Sequence, residues 1–289
     1  MAEFNLGKQL YDAVVACDMA KITEITELNA NNAEVLDYVS EDDEKMTPLL
    51  KAVNVWHERA FHPEMVECLL NAGANANAVC GKYHFNALRW CAHQPVAKLD
   101  MAKLLVSIGK ADVDVRDNDE KPCLHDIRGG NNLEEGENFI KFLLENRADV
   151  NSRDSDGSTA LMAMPRYYSV LLENGADVQA ETKTGYTALH SASARRGNVE
   201  AIKAMIAAGA NIEAECTFSM VKGNTPLRLA IPNYLDSATI LLDAGANVNT
   251  VDAHGQSPLH CAASMGNEKA IEFLLSKGAD KTLIKKGPY

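Results

Sequence analysis

Asp252-Ala253-His254-Gly255-Gln256-Ser257-Pro258-Leu259-His260-Cys261-Ala262-Ala263-Ser264-Met265-Gly266-Asn267-Glu268-Lys269-Ala270-Ile271-Glu272-Phe273-Leu274-Leu275-Ser276-Lys277-Gly278-Ala279-Asp280 is the stretch that decides the fold. It opens with a turn, in which Gly255 suits a positive φ. Ser257 then supplies a hydroxyl at a helix N-cap, and Pro258 takes the first helical position, where its missing N–H costs nothing. Cys261 to Met265 continue a short helix of small residues, and Gly266-Asn267 breaks it. A second helix follows over about Glu268 to Ser276, with Ala270, Ile271, Leu274 and Leu275 spaced as a buried stripe. Lys277-Gly278 closes that helix, and Ala279-Asp280 starts another loop.

The closing landmark recurs. Gly-Ala-Asp, Gly-Ala-Asn or a near variant centres on Ala74, Ala111, Ala148, Ala176, Ala210, Ala246 and Ala279, with successive gaps of 37, 37, 28, 34, 36 and 33. A period in the low thirties marks a solenoid, in which each helical pair buries its apolar face only by stacking on neighbours. The opening also recurs, as Gly185-Tyr186-Thr187-Ala188-Leu189-His190 and Gly223-Asn224-Thr225-Pro226-Leu227-Arg228.

With a turn, Thr-Pro-Leu-His-x-Ala, two helices and Gly-Ala-Asp on the page, the chain resembles the ankyrin-repeat family. The resemblance implies an all-α solenoid of stacked helix-turn-helix units joined by β-hairpin-like loops. About seven units are expected over residues 45–289, preceded by a degenerate capping helical pair and an acidic loop over residues 1–44. It also implies that partners meet the concave face formed by hairpin tips and first helices.

Several units depart from the pattern. Thr47-Pro48-Leu49-Leu50 lacks the histidine, and its unit carries five extra residues near Val55 to Pro63. The third unit reads Pro122-Cys123-Leu124-His125 and holds an insertion at Gly129 to Gly136. The unit from Thr159 to Gly175 spans only 16 positions, so its helices should be curtailed around Pro165. Glu215 to Lys222 lengthens one hairpin into a finger that could expose Phe218.

Composition narrows the function. Net charge is −12, and residues 1–50 alone hold eleven acidic and three basic side chains, a balance of −8. Such a surface repels phosphate backbones and anionic lipid, which excludes nucleic acid and membrane as partners and favours a basic protein. No run approaches the roughly 18 apolar residues of a membrane span. The start has neither the basic nor the apolar segment of a secretory signal. Seven scattered cysteines without a Cys-x-x-Cys pair read as reduced residues of a cytoplasmic protein.

Catalytic chemistry finds no footing in the motifs. There is no phosphate-binding Gly-rich loop, nucleophile elbow or His-Glu-x-x-His. His125, His190 and His260 recur at the repeat period, so each is expected to hydrogen-bond the neighbouring hairpin. His57, His62, His84 and His93, with Cys80 and Cys91, have no metal-ligand spacing, so neither metal nor cofactor is expected. Asn151 and Asn249 end Ala-Asp-Val-Asn and Ala-Asn-Val-Asn, which resembles the loop position hydroxylated in family members; the plain reading is an asparagine that satisfies its turn.

The expected function is a non-catalytic, monomeric scaffold or adaptor that binds a folded protein. The alternatives are an acidic inhibitor that occludes a basic enzyme or toxin and, least favoured, a metal-dependent enzyme using the early histidines. Aromatics and arginine dominate binding hot spots. The leading contact patch is therefore Trp56, Tyr83, His84, Phe85, Arg89 and Trp90, with Trp90 at an outward slot. A secondary patch is Lys183, Tyr186, Arg195 and Arg196.

Overall fold

A computed structural model describes residues 5–41, 45–54, 62–79, 84–93, 98–127, 132–218 and 221–286. The chain divides into two compact units, Met1–Asp149 and Val150–Tyr289.

In the first unit, α1 (Leu6–Val15) pairs with α2 (Met19–Leu28), and a single turn α3 (Ala33–Leu36) follows. Then come α4 (Pro48–Val53) with α5 (Pro63–Asn71), α6 (Ala87–His93) with α7 (Leu99–Ser107), and a 3₁₀ turn (Cys123–His125) before α8 (Leu133–Glu145). Helices of one kind stack in sequence order: α1 on α4, α4 on α6, and α6 on the 3₁₀ turn form a first row. A second row runs α2, α5, α7, α8.

The second unit repeats the plan. Its elements are α9 (Ala160–Ala163), a 3₁₀ turn (Pro165–Tyr167), α10 (Tyr168–Glu173), α11 (Ala188–Ser193) and α12 (Val199–Ala207). An antiparallel ribbon of β1 (Cys216–Phe218) and β2 (Val221–Asn224) precedes α13 (Pro226–Ala230), α14 (Leu235–Asp243), α15 (Pro258–Ser264), α16 (Glu268–Ser276) and a 3₁₀ segment (Lys281–Lys286). Here α9, α11, α13 and α15 stack in order, as do α10, α12 and α14.

The first helices start where the sequence says they should. Thr47, Thr187, Thr225 and Ser257 each cap with the side-chain oxygen, and Pro48, Pro226 and Pro258 occupy the first turn. At least one leucine of each first helix, from Leu49 and Leu88 to Leu227 and Leu259, is fully buried. Gly185 shows why a turn glycine is needed: its φ is +77°, and an added Cβ would stand 2.5 Å from the Glu215 carbonyl oxygen.

Departures from the pattern have local causes. The short unit is curtailed as expected, because Pro165 converts the end of its first helix into a 3₁₀ turn. The finger at Glu215 to Lys222 forms the β1–β2 ribbon; the Phe218 side chain lies outside the described residues. The expected insertion at Gly129 to Gly136 is in part a helix extension. Leu133–Gly136 are the opening turn of α8, whose N-cap Asn132 accepts the Glu134 N–H. The extra residues from Val55 to Phe61 lie outside the described residues.

A ladder of side chains ties each landmark loop to the next. Asp37 accepts the Asn75 N–H at 2.9 Å, Asn77 the Asp112 N–H at 2.7 Å, and Asp114 the Asp149 N–H at 3.3 Å. In the second unit Asn151 accepts from Asp177 at 2.7 Å, Glu213 from Asn247 at 2.7 Å and Asn249 from Asp280 at 2.8 Å. Asn151 and Asn249 therefore serve the following unit rather than only their own turn. Asn151 also donates through Nδ2 to the Gly175 carbonyl at 3.0 Å. Asn151→Ala should lower unfolding free energy by about 1 kcal/mol, and Asn151→Asp, which keeps the acceptor and loses the donor, by less. Urea denaturation checks both.

Candidate functional site

The third residue of the first helices varies in identity, as Leu50, Arg89, His125, Met162, His190, Arg228 and His260, and Arg89, His190 and Arg228 reach the next hairpin. In α11, His190 receives the Thr187 backbone N–H on Nδ1 at 3.1 Å. Its Nε2 stands 3.0 Å from the Asn224 carbonyl oxygen in the next hairpin. A backbone N–H only donates and a carbonyl only accepts, so the ring is the neutral Nε2–H tautomer. Burial pushes its pKa down to about 4, opposed by the backbone hydrogen bonds. A ring with both nitrogens spent on backbone is a strut. His260 repeats the first contact with the Ser257 N–H at 3.1 Å.

Two units place arginine in this slot, and each arginine grips the next hairpin. In the first unit Arg89 Nη2 donates to Asp117 Oδ2 at 2.7 Å and Nη1 to the Lys121 carbonyl at 2.5 Å. In the second, Arg228 Nη2 donates to Asp252 Oδ2 at 2.6 Å and Nη1 to the Gln256 carbonyl. The other oxygen of each aspartate receives two N–H groups of its own hairpin, from Asp119 and Lys121 in one and His254 and Gln256 in the other. The guanidinium fork is thus matched to a folded turn, which a lysine could not reproduce.

This geometry corrects part of the expected contact patch. Arg89 is 1% exposed, its fork consumed by Asp117 and the hairpin, so it does not present charge to a partner. Phe85 is 7% exposed and lies beneath. The structure does gather the group around that ring: Trp90 and His93 each stand edge-on to Phe85 at 5.4 Å, and the Arg89 guanidinium lies 4.7 Å over it. Trp90 is half-buried and keeps an outward part, and His84 is exposed with a positive φ of 52°. Trp56 and Tyr83 lie outside the described residues.

The sequence reading passed over the pair that borders this cluster. His93 Nδ1 and Asp126 Oδ2 are 2.8 Å apart, both half-buried, joining the end of α6 to the loop after the next turn. Nothing in the local spacing announces it, since the partners are 33 positions apart.

The secondary patch is partly assembled. Tyr186 stacks on His190 with centroids 5.3 Å apart and planes 25° apart. Burial raises its phenol pKa, opposed by a hydrogen bond with Ser191 and by the Arg195 charge. Arg195 also donates to the Ala163 carbonyl at 3.0 Å. Lys183 and Arg196 are exposed, but one precedes α11 and the other follows it. The length of the helix separates them.

Charge is divided unevenly. Residues 1–149 hold twenty-six acidic and fifteen basic side chains, a balance of −11, and residues 150–289 hold fourteen and thirteen, a balance of −1. Burial raises the thiol pKa of Cys123 to about 12 and of Cys216 to about 11, so these thiols behave as small apolar residues. Among the described residues no helix is long and apolar enough to cross a membrane.

Capped helical pairs stacked in sequence order, with hairpins clamped by the preceding helix, define a helical-repeat binding protein. The family comparisons agree: ankyrin repeats match in three overlapping sets at residues 130–216, 164–252 and 194–285, and a single ankyrin repeat matches at residues 44–80. The chain belongs to the ankyrin-repeat family, whose repeats form protein–protein interaction domains.

Among curated relatives, the ankyrin repeat and KH domain-containing protein mask-1 of Caenorhabditis elegans is 27% identical over 282 residues, covering 96% of this chain and 10% of that protein. The nuclear factor NF-kappa-B p105 subunit of Gallus gallus is 44% identical over 61 residues, covering 21% of this chain and 6% of that protein. The crystal structure of the ankyrin repeat domain of Bcl-3, a member of the IkappaB protein family, is similar with a TM-score of 0.62 and 26% identity. That match covers 81% of this chain and 97% of the other. The chain spans only a small part of these curated relatives, so their activities as whole proteins do not transfer.

Proposed function

We propose that the chain is a non-catalytic scaffold or adaptor of the cytoplasm, monomeric by itself, that holds a folded partner against its hairpins and first helices. The observation that carries this reading is Trp90. It is half-buried, while Phe85, edge-on to it, and Arg89 are buried, and Arg89 is locked to the next hairpin. A large aromatic held rigid before binding loses little entropy on contact, which is the physical signature of an anchor. His84, exposed, precedes Phe85 on the hairpin that leads into α6. Arg89 and Phe85 act from below, as support.

Trp90→Ala should weaken partner capture from native cytosol by about 2 kcal/mol, roughly thirtyfold in affinity, and leave the thermal midpoint nearly unchanged. A large drop in that midpoint would assign Trp90 to packing instead. The secondary patch offers Tyr186 and Arg195 as a weaker contact.

A second reading is favoured by the balance of −11 in residues 1–149: an inhibitor whose acidic unit occludes a basic enzyme. Charge steering would then set the association rate, which should fall steeply with salt. A rate indifferent to ionic strength leaves the scaffold reading alone in the field.

A further inference from the structure

The second helix row of the first unit carries a feature that the hairpin side does not need. On α2, Ala20, Thr23, Glu24 and Glu27 recur at i, i+3, i+4 and i+7, and on α5 Glu64, Glu67, Cys68 and Asn71 do the same. Each set is the outward stripe of its helix. Where the stripes of α2 and α5 run side by side they leave a groove of about 290 Å³, lined by Thr23, Thr26 and Glu27 of α2 with Ala30 just beyond it, and by Cys68 and Asn71 of α5 with its C-cap Ala72.

The floor is closed and largely apolar. Thr26 spends its hydroxyl on the Ile22 carbonyl and the Cys68 sulfur, at 2.8 and 3.3 Å, and so turns no free polar group outward. One end is shut by the Asn31 N–H donating to the Ala72 carbonyl at 2.7 Å. The rims are acidic: the two helices carry Glu24, Glu27, Glu64 and Glu67, all exposed, against the single lysine Lys21. Leu28, next to the rim residue Glu27, stands 78% exposed.

We propose that this furrow docks a cationic amphipathic helix of a partner protein, with an apolar side chain seated over Thr26 and Cys68 and Lys or Arg side chains meeting Glu24, Glu27 and Glu67. Two neighbouring helices present a linear furrow that a third helix fills ridge into groove, and apolar anchors with charged flanks are how such helices are recognised. Charge selects the occupant. A second copy of this chain brings a net charge of −12, which opposes self-association here, and anionic lipid or nucleic acid is repelled for the same reason. The surface lies on the second helix row and is separate from the Trp90 face.

The test is fluorescence anisotropy with a labelled synthetic Leu-Lys amphipathic helical peptide, titrated into the full chain. Thr23→Trp fills the furrow from its half-exposed side without changing charge, and should weaken binding about tenfold. Glu27→Gln with Glu67→Gln, both at exposed positions, should weaken it by a similar factor. Asp119→Asn with Glu120→Gln removes the same charge from an exposed hairpin of the same unit, and should change affinity less than threefold. Bound peptide should also slow alkylation of Cys68 by N-ethylmaleimide, a readout that needs no variant. Equal losses from the hairpin and rim pairs, wild-type affinity in Thr23→Trp, or unprotected Cys68 would each overturn the proposal. Loss of peptide binding in Trp90→Ala but not in Thr23→Trp would move the peptide to the hairpin side, which sinks this proposal and leaves the earlier reading standing.

Discussion

Arg228→Met is expected to destabilise the second unit by about 3–5 kcal/mol, the usual consequence of removing one partner from a buried ion pair. The side chains of Arg228 and Asp252 are 6% and 3% exposed. Methionine matches the arginine stem, so little packing is lost and the effect isolates the charge. What remains is a carboxylate whose Oδ1 is still held by the His254 and Gln256 N–H groups and whose Oδ2 has lost its fork. The Gln256 carbonyl loses a donor as well. Adding Asp252→Asn removes the stranded charge and keeps an acceptor for the hairpin, so the double variant should regain about 1–3 kcal/mol. Urea denaturation of the four species in a double-mutant cycle measures this. A single variant within 1 kcal/mol of wild type would show the clamp to be dispensable. Arg89→Met should follow the same direction in the first unit with a smaller effect, since Asp117 is 12% exposed and water can recover part of its solvation.

The clamp also shows what could be read from the residues and what could not. The turns, the capping hydroxyls of Thr47, Thr187, Thr225 and Ser257, the N1 prolines Pro48, Pro226 and Pro258, and the buried leucines are local signals, and the structure places them as their spacing implies. The slot at Arg89 and Arg228 was visible as a position where histidine gives way. A second signal lies in the hairpins: Asp117, Asp154 and Asp252 each stand five positions before a helix N-cap, with Thr182 in the same place. An arginine in the slot and an aspartate at that place in the following hairpin together spell the pair. Arg89 reads as a contact residue from sequence because arginine is common in binding hot spots, and the sequence of one unit cannot show that the next hairpin uses up the fork. The same limit hid His93 and Asp126. Contacts across a repeat boundary join residues some thirty positions apart, and no pattern within one period encodes them. Trp90 sits between these cases: its outward slot followed from spacing, but the buried ring that braces it did not.

Acid should weaken the second unit through His190. The ring is fully buried and held neutral, with a folded-state pKa near 4 against an ordinary value of 6.5. Protonation would turn Nδ1 into a donor facing the Thr187 N–H, two hydrogens competing for one space, and would place a charge in an apolar stack beneath Tyr186. The unfolded chain binds this proton below about pH 6.5 and the folded chain resists it until about pH 4. Stability from this residue is therefore complete above pH 6.5, declines as pH falls between those values, and is gone below pH 4. The loss amounts to about 3 kcal/mol. His190→Gln cannot titrate, so its urea midpoint should be lower than wild type at neutral pH and should approach it as the pH is brought to 4. Parallel curves for the two proteins would remove His190 from the account. An imidazole spectrum at pH 5 still showing the Nε2–H tautomer would locate the effect, because an exposed histidine is charged at that pH and a strut between two units has no room to be.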